Sequence, residues 1–163
     1  MFGATGAAAV NYLVYKNGIA AFEKSEKLVR GMPGSCASFN GAFGMIPNKM
    51  LVTPRQCFFL EVGMTAALAF TIFALTDADK TVPEGAQPAL IGATVVALAM
   101  QYAPVTGCGM NPARDLGPRI VTYAAGWGTA SLSYAWWTYT LGPMAGAVLG
   151  GALYNATLAK KKQ

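Results

Sequence analysis

TGCGMNPARDLGPRIVTYAAGWG, residues Thr106–Gly128, is the stretch on which the fold turns. It is too apolar for a solvated loop, and too interrupted by glycine, proline and charge to cross a bilayer as one helix. Asn111 is a strong N-cap and Pro112 is preset for a first helical position, with Ala113, Arg114 and Asp115 continuing the turn. A short helix is therefore expected to start at Asn111. Its amino end carries about half a positive charge from unpaired amides, and Arg114 adds a full charge in the same turn, so that end repels cations. Upstream, Thr106, Gly107, Cys108 and Gly109 can run extended because the two glycines tolerate unusual dihedrals, which would show a row of carbonyls to a passing solute. Non-helical backbone survives at membrane depth only when buried in protein or lining a wet cavity. The stretch reads as a re-entrant segment beside a pathway.

Working outward, the chain falls into apolar blocks of about the 20 residues that a membrane helix needs. They are Met1–Phe22, Phe58–Leu75, Pro88–Ala103 and Tyr134–Tyr154. Pro88 can occupy a first helical turn, and Pro104 and Gly107 are expected to stop the third block. Residues 23–57 form a long loop with no regular element assigned, carrying Lys24, Lys27, Arg30, Lys49 and Arg55. Thr76–Gln87 is a short polar connection, and Lys160, Lys161 and Lys162 make a basic tail. In the last block Gly142, Gly146 and Gly150 share one helical face, a seam where another helix can come close. The expected fold is an all-α membrane protein with four transmembrane helices and one re-entrant half-helix.

Composition supports this and removes alternatives. Of 163 residues, 54% are hydrophobic and 12% charged, about half the charged share of a soluble domain. Histidine is absent, and Cys36, Cys57 and Cys108 show no CxxC spacing, so zinc, haem and imidazole chemistry lose their usual residues. No metal, cofactor or catalytic residue is expected, and the chain does not read as an enzyme. The formal charge of +5 sits in loops and tail, which does not suggest nucleic acid as a partner.

Asn111-Pro112-Ala113-Arg114 followed by Asp115, Gly117, Pro118 and Arg119 resembles the second signature loop of the major intrinsic protein family, the aquaporins and glycerol facilitators. The resemblance covers nearly the whole chain. Its first block is similar to the family's third helix, cut off at its start, and the others to the fourth, fifth and sixth. The chain thus resembles the C-terminal half of an aquaglyceroporin, the second inverted repeat (58–163) with one extra helix. In that repeat the helices are 58–75, 88–103 and 134–154, with the re-entrant loop and half-helix at 104–125.

The resemblance implies a passive channel for glycerol, small neutral solutes and water in the lipid bilayer of the plasma membrane. It implies a homotetramer when complete. Asn111 matches one of two asparagines that donate to solute at the membrane centre, and the narrowest filter maps to Arg114, Cys108 and Ala99. Small Ala99 and Cys108 imply a filter wider than one lined by histidine, although Cys108 also fits an ordinary buried thiol. Asp115 and Arg119 match the aquaglyceroporin version of the loop. Thr140 is non-aromatic as in glycerol facilitators, whereas Tyr139 stands where those proteins have proline and water channels an aromatic residue. Glu61, a lone acid in an apolar span, matches a glutamate that accepts amides of the re-entrant loop. Family topology puts the tail and the connection with Lys80 in the cytoplasm.

The pore of this family needs both repeats, so the chain alone is expected not to conduct, pending a missing N-terminal half or a complementary chain. A water-selective aquaporin is the nearest alternative. A secondary transporter fragment would need coupling acids, for which only Glu61 and Asp115 stand in or near the membrane. A non-conducting subunit would pair through the Gly142, Gly146, Gly150 face.

Overall fold

A computed structural model describes residues 1–39, 41–78, 82–132 and 135–159. Lys80, Lys160, Lys161, Lys162 and the expected helix start at Tyr134 lie outside the described residues. The described chain is mainly helical: α1 is Phe2–Ser25, α2 Pro54–Thr76, α3 Gln87–Thr106, α4 Pro112–Thr122 and α5 Thr138–Thr157.

Helix ends differ from the hydropathy blocks for local reasons. α2 begins ahead of Phe58 because Thr53 forms a capping box, its hydroxyl accepting from the Gln56 amide while the Gln56 side chain accepts from the Thr53 amide. Pro54 then takes the first turn at no cost in hydrogen bonds. α3 continues through Pro104 and stops only at Gly107, whose φ of +82° and amide bond to the Ala103 carbonyl close the helix. A proline near a helix end forfeits one backbone bond but keeps a helical φ, so here the glycine is the stop.

Residues 23–57 are more ordered than a structureless loop. α1 extends through Glu23 and Lys24, a short 3-10 turn spans Ser35–Ser38, and Phe39 and Phe43 pack with Ala8, Ile19 and Trp127 in one apolar cluster. Arg30 secures this cluster. Its Nε donates to both Glu23 carboxylate oxygens at 2.9 Å, and Nη1 donates to the Tyr12 hydroxyl (2.8 Å) and the Ala125 carbonyl (3.0 Å). Its guanidinium also lies 4.1 Å from the Trp127 ring centroid.

The longest interface joins α2 to α5. A methyl at Gly142 would come 2.9 Å from Glu61 Cβ, and methyls at Gly146 and Gly150 would overlap the carbonyl oxygens of Val62 and Ala66. Backbone therefore lies against backbone along this seam. α1 crosses α4 in a similar way, with Gly117 against Ala4. The far end of the α2–α5 pair is tied by the Tyr154 hydroxyl donating to Asp77.

Among the described residues, two helical segments are long and apolar enough to cross a membrane by length and composition, Pro54–Thr76 and Glu84–Thr106, of the four expected. α1 is diluted by Lys16, Glu23 and Lys24, and α5 by glycine, threonine and Asn155. Only 22% and 6% of the two apolar windows are buried within the chain, so both helices leave most of their surface for lipid or another polypeptide.

Replacing Gly146 with valine should separate α2 from α5. The expected cost is about 1–3 kcal/mol from overpacking, seen as a lower midpoint of thermal unfolding in detergent. Gly63→Val meets open space at its β-carbon and should cost less.

Candidate functional site

The site is built where α3 ends and α4 begins. Gly107, Cys108 and Met110 have φ of +82°, +56° and +51°, so the connecting backbone is left-handed at three of four consecutive residues. For Cys108 and Met110 this conformation is unfavourable and persists only if surroundings enforce it. The enforcement comes from beneath. Glu61 on α2 is fully buried, and its carboxylate accepts from the amides of Gly109 (3.0 Å) and Met110 (2.8 Å). The Cys108 amide donates to the Thr106 hydroxyl at 3.1 Å. With these amides drawn inward, the carbonyls of Gly107 and Gly109 have no protein donor among the described residues.

Asn111 caps α4, its side-chain oxygen accepting from the amides of Ala113 (2.9 Å) and Arg114 (3.3 Å). The side-chain NH2 has no protein partner among the described residues, and Asn111 is exposed. Capping thus uses the acceptor and leaves the donors outward. Pro112 and Ala113 are half-buried in the first turn. Arg114 is exposed, with Nη1 donating to Met45 Sδ at 2.9 Å and to the Cys108 carbonyl at 3.4 Å.

Arg119, five residues on, is handled in the opposite way. It is buried, with Nε 2.7 Å from Asp115 Oδ2, Nη1 donating to the Ser131 carbonyl and Nη2 to the Met45 carbonyl. Asp115 is buried too, and its Oδ1 accepts from the Met45 amide at 2.6 Å. A buried ion pair is tolerated only when its other hydrogen-bonding positions are filled. Here the filling groups are backbone atoms of the long loop and of Ser131, so the pair clamps both onto α4.

Two residues behave differently from the filter reading. The Thr106 carbonyl accepts the Tyr139 hydroxyl, and Thr106 closes α3, so its carbonyl is not free for a solute. Cys108 is buried, its thiol directed at Met64 Sδ at 3.9 Å, because its left-handed backbone turns the side chain toward α2. Its carbonyl, not its thiol, meets Arg114. Ala99 is half-buried on α3, about two turns before the helix end, and has no polar group to join this network.

Met45 and Ser131 were not singled out from sequence; nothing in a Gly/Pro-rich loop marks one methionine as the clamped residue. Tyr139 carried a signal that could have been read, since positions 139, 142, 146 and 150 recur at helical spacing on one buried face.

A buried carboxylate fixing a broken backbone, beside a half-helix that turns Asn111 and Arg114 donors outward, fits the class of membrane channels built from interrupted helices. Residues 1–154 match the description MIP, Major intrinsic protein, and the chain belongs to that family of integral membrane channels, not enzymes. It is 37% identical to a glycerol uptake facilitator protein of Pseudomonas aeruginosa, over 97% of this chain and 58% of that protein. Identity is 40% to the protein of the same name from Haemophilus influenzae, over 99% and 61%, and 35% to mouse aquaporin-9, over 94% and 52%. The chain spans roughly half to three fifths of the length of these curated relatives. Its fold is that of the X-ray structure of the aquaglyceroporin from Plasmodium falciparum, with TM-score 0.75 and 19% identity, over 96% of this chain and 60% of that one.

Asp115→Ala should leave Arg119 buried and unpaired, costing about 3–5 kcal/mol and lowering the yield of folded protein in detergent. Asp115→Ala combined with Arg119→Met should recover part of the loss, which a stability comparison of the single and double variants checks.

Proposed function

We propose that the chain forms the C-terminal half of a passive pore for glycerol, other small neutral solutes and water. The observation that carries this reading is the division of polar groups around residues 106–114. Groups facing α2 are buried and satisfied, while Asn111 and Arg114 are exposed and the Gly107 and Gly109 carbonyls have no protein donor among the described residues. Donors and acceptors without protein partners in one short stretch suit a hydroxylated or water molecule, which needs both. The positive end of α4 and the Arg114 charge oppose cations.

In this reading α1, α2, α3 and α5 cross the bilayer and α4 dips partway, its loop and half-helix forming one wall. The 1–22, 23–57 and 58–163 division is a helix of the first repeat, an outer loop and the second repeat. α1 leaves Val10, Leu13, Val14 and Tyr15 more than three fifths exposed, a face suited to lipid or to the rest of a pore. The partner is an amino-terminal half, the assembled protein a homotetramer, and the location the plasma membrane. Arg114, the Cys108 carbonyl and Ala99 line the filter.

The glycerol reading is supported by the names of the bacterial relatives and by Asp115 with Arg119. Tyr139, which stands where water channels have an aromatic residue, is fully buried and donates to the Thr106 carbonyl, which supports a scaffold role for it. Thr140 is half-buried with no hydrogen-bond partner for its hydroxyl among the described residues.

Stopped-flow swelling of liposomes holding this chain together with the amino-terminal half of a bacterial glycerol facilitator tests the proposal. Glycerol and water flux is expected only when both halves are present, and unaffected by sodium or proton gradients. Gradient-driven accumulation would instead support a transporter. Arg114→Leu should lower the glycerol-to-water permeability ratio and raise cation leak.

A further inference from the structure

We propose that Met45, in the long loop, is the residue that positions Arg114 for solute, acting through its thioether. This rests on the channel reading above. Arg114 has five N–H donors in a fixed fork, and the described structure gives partners only to Nη1, the Met45 sulfur at 2.9 Å and the Cys108 carbonyl at 3.4 Å. The sulfur is the nearer of the two.

Met45 is fixed independently of Arg114. Its amide donates to Asp115 at 2.6 Å, its carbonyl accepts from Arg119, and its side chain is buried with Cys57 and Tyr139. Gly107 gives it room, since a β-carbon there would come within 3.1 Å of the sulfur. The buried Asp115–Arg119 pair therefore sets the place of one sulfur atom, and that atom sets the place of the exposed guanidinium. One loop residue joins a structural arginine to a solute-facing one.

The acceptor type matters as much as its place. A carboxylate at this position would pair with Arg114, cancel the charge that excludes cations and occupy two donors side by side. A thioether is a weak, neutral acceptor, so it orients the guanidinium while leaving its charge and its remaining donors for the pore. Leucine would fill the same volume with no acceptor. Glutamine offers a neutral carbonyl at similar reach.

The test uses Met45→Leu and Met45→Gln in the two-half liposome system, together with methyl-13C methionine NMR of the chain in detergent. In flux, Met45→Leu is expected to lower the glycerol-to-water permeability ratio about two- to tenfold, the effect of one hydrogen bond of ordinary strength. Met45→Gln should restore most of it, with similar thermal stability in both variants. In NMR, the Met45 methyl resonance should move when Arg114 is replaced by leucine, whether or not the protein conducts. An unchanged ratio in Met45→Leu, no recovery in a folded Met45→Gln, or an unmoved resonance would overturn the proposal. Absence of flux in the unsubstituted protein would instead count against the channel reading, with the resonance still deciding the contact.

Discussion

Everything around the α3–α4 connection depends on one carboxylate held inside an apolar helix pair. Glu61 is fully buried, where an unsatisfied charge would cost several kilocalories per mole, and its two oxygens are met by the amides of Gly109 and Met110. Those two hydrogen bonds hold the backbone left-handed where Cys108 and Met110 would otherwise avoid it. The glycines nearby follow from the same demand. A β-carbon at Gly109 would sit 3.1 Å from Glu61 Oε2 and 2.6 Å from Tyr139 Cδ1, and one at Gly142 2.9 Å from Glu61 Cβ. Room for the carboxylate is made on both α5 and the loop.

A second buried carboxylate works on α4. Asp115 pairs with Arg119, and the pair holds the long loop by the backbone of Met45. α4 thus carries two arginines with opposite fates. Arg119 is surrounded by acceptors and has become part of the framework, whereas Arg114 meets a sulfur and one distant carbonyl and remains exposed. The difference follows from which side of a short helix each residue occupies, since five positions on a helix rotate a side chain about 140°.

Much of this was legible in the sequence. Asn111-Pro112 is a start signal whose chemistry is local, and the structure caps α4 there. Gly142, Gly146 and Gly150 recur at helical spacing, and close approach along that face needs nothing but small side chains. The remainder depended on contacts between distant segments. The inward turn of Cys108 and the use of the Thr106 carbonyl by Tyr139 both follow from left-handed backbone that Glu61 and Tyr139 impose from other helices. The order in residues 23–57 rests on Arg30 meeting Glu23, Tyr12, Ala125 and Trp127, a set scattered along the chain. α1 and α5 form where apolar blocks are expected, but polar residues in α1 and the glycines and threonines of α5 keep their mean hydropathy below that of Pro54–Thr76 and Glu84–Thr106.

The direct measurement is amide hydrogen exchange at Gly109 and Met110, comparing the native chain with Glu61→Gln in the same detergent. The substituted carboxamide would keep one acceptor and present a donor to the second amide. If the carboxylate is what holds this backbone, both amides are slow to exchange in the native protein and at least one becomes fast in the variant, while the amides inside α2 and α5 keep their protection. Equal protection of Gly109 and Met110 in the two proteins would contradict the account.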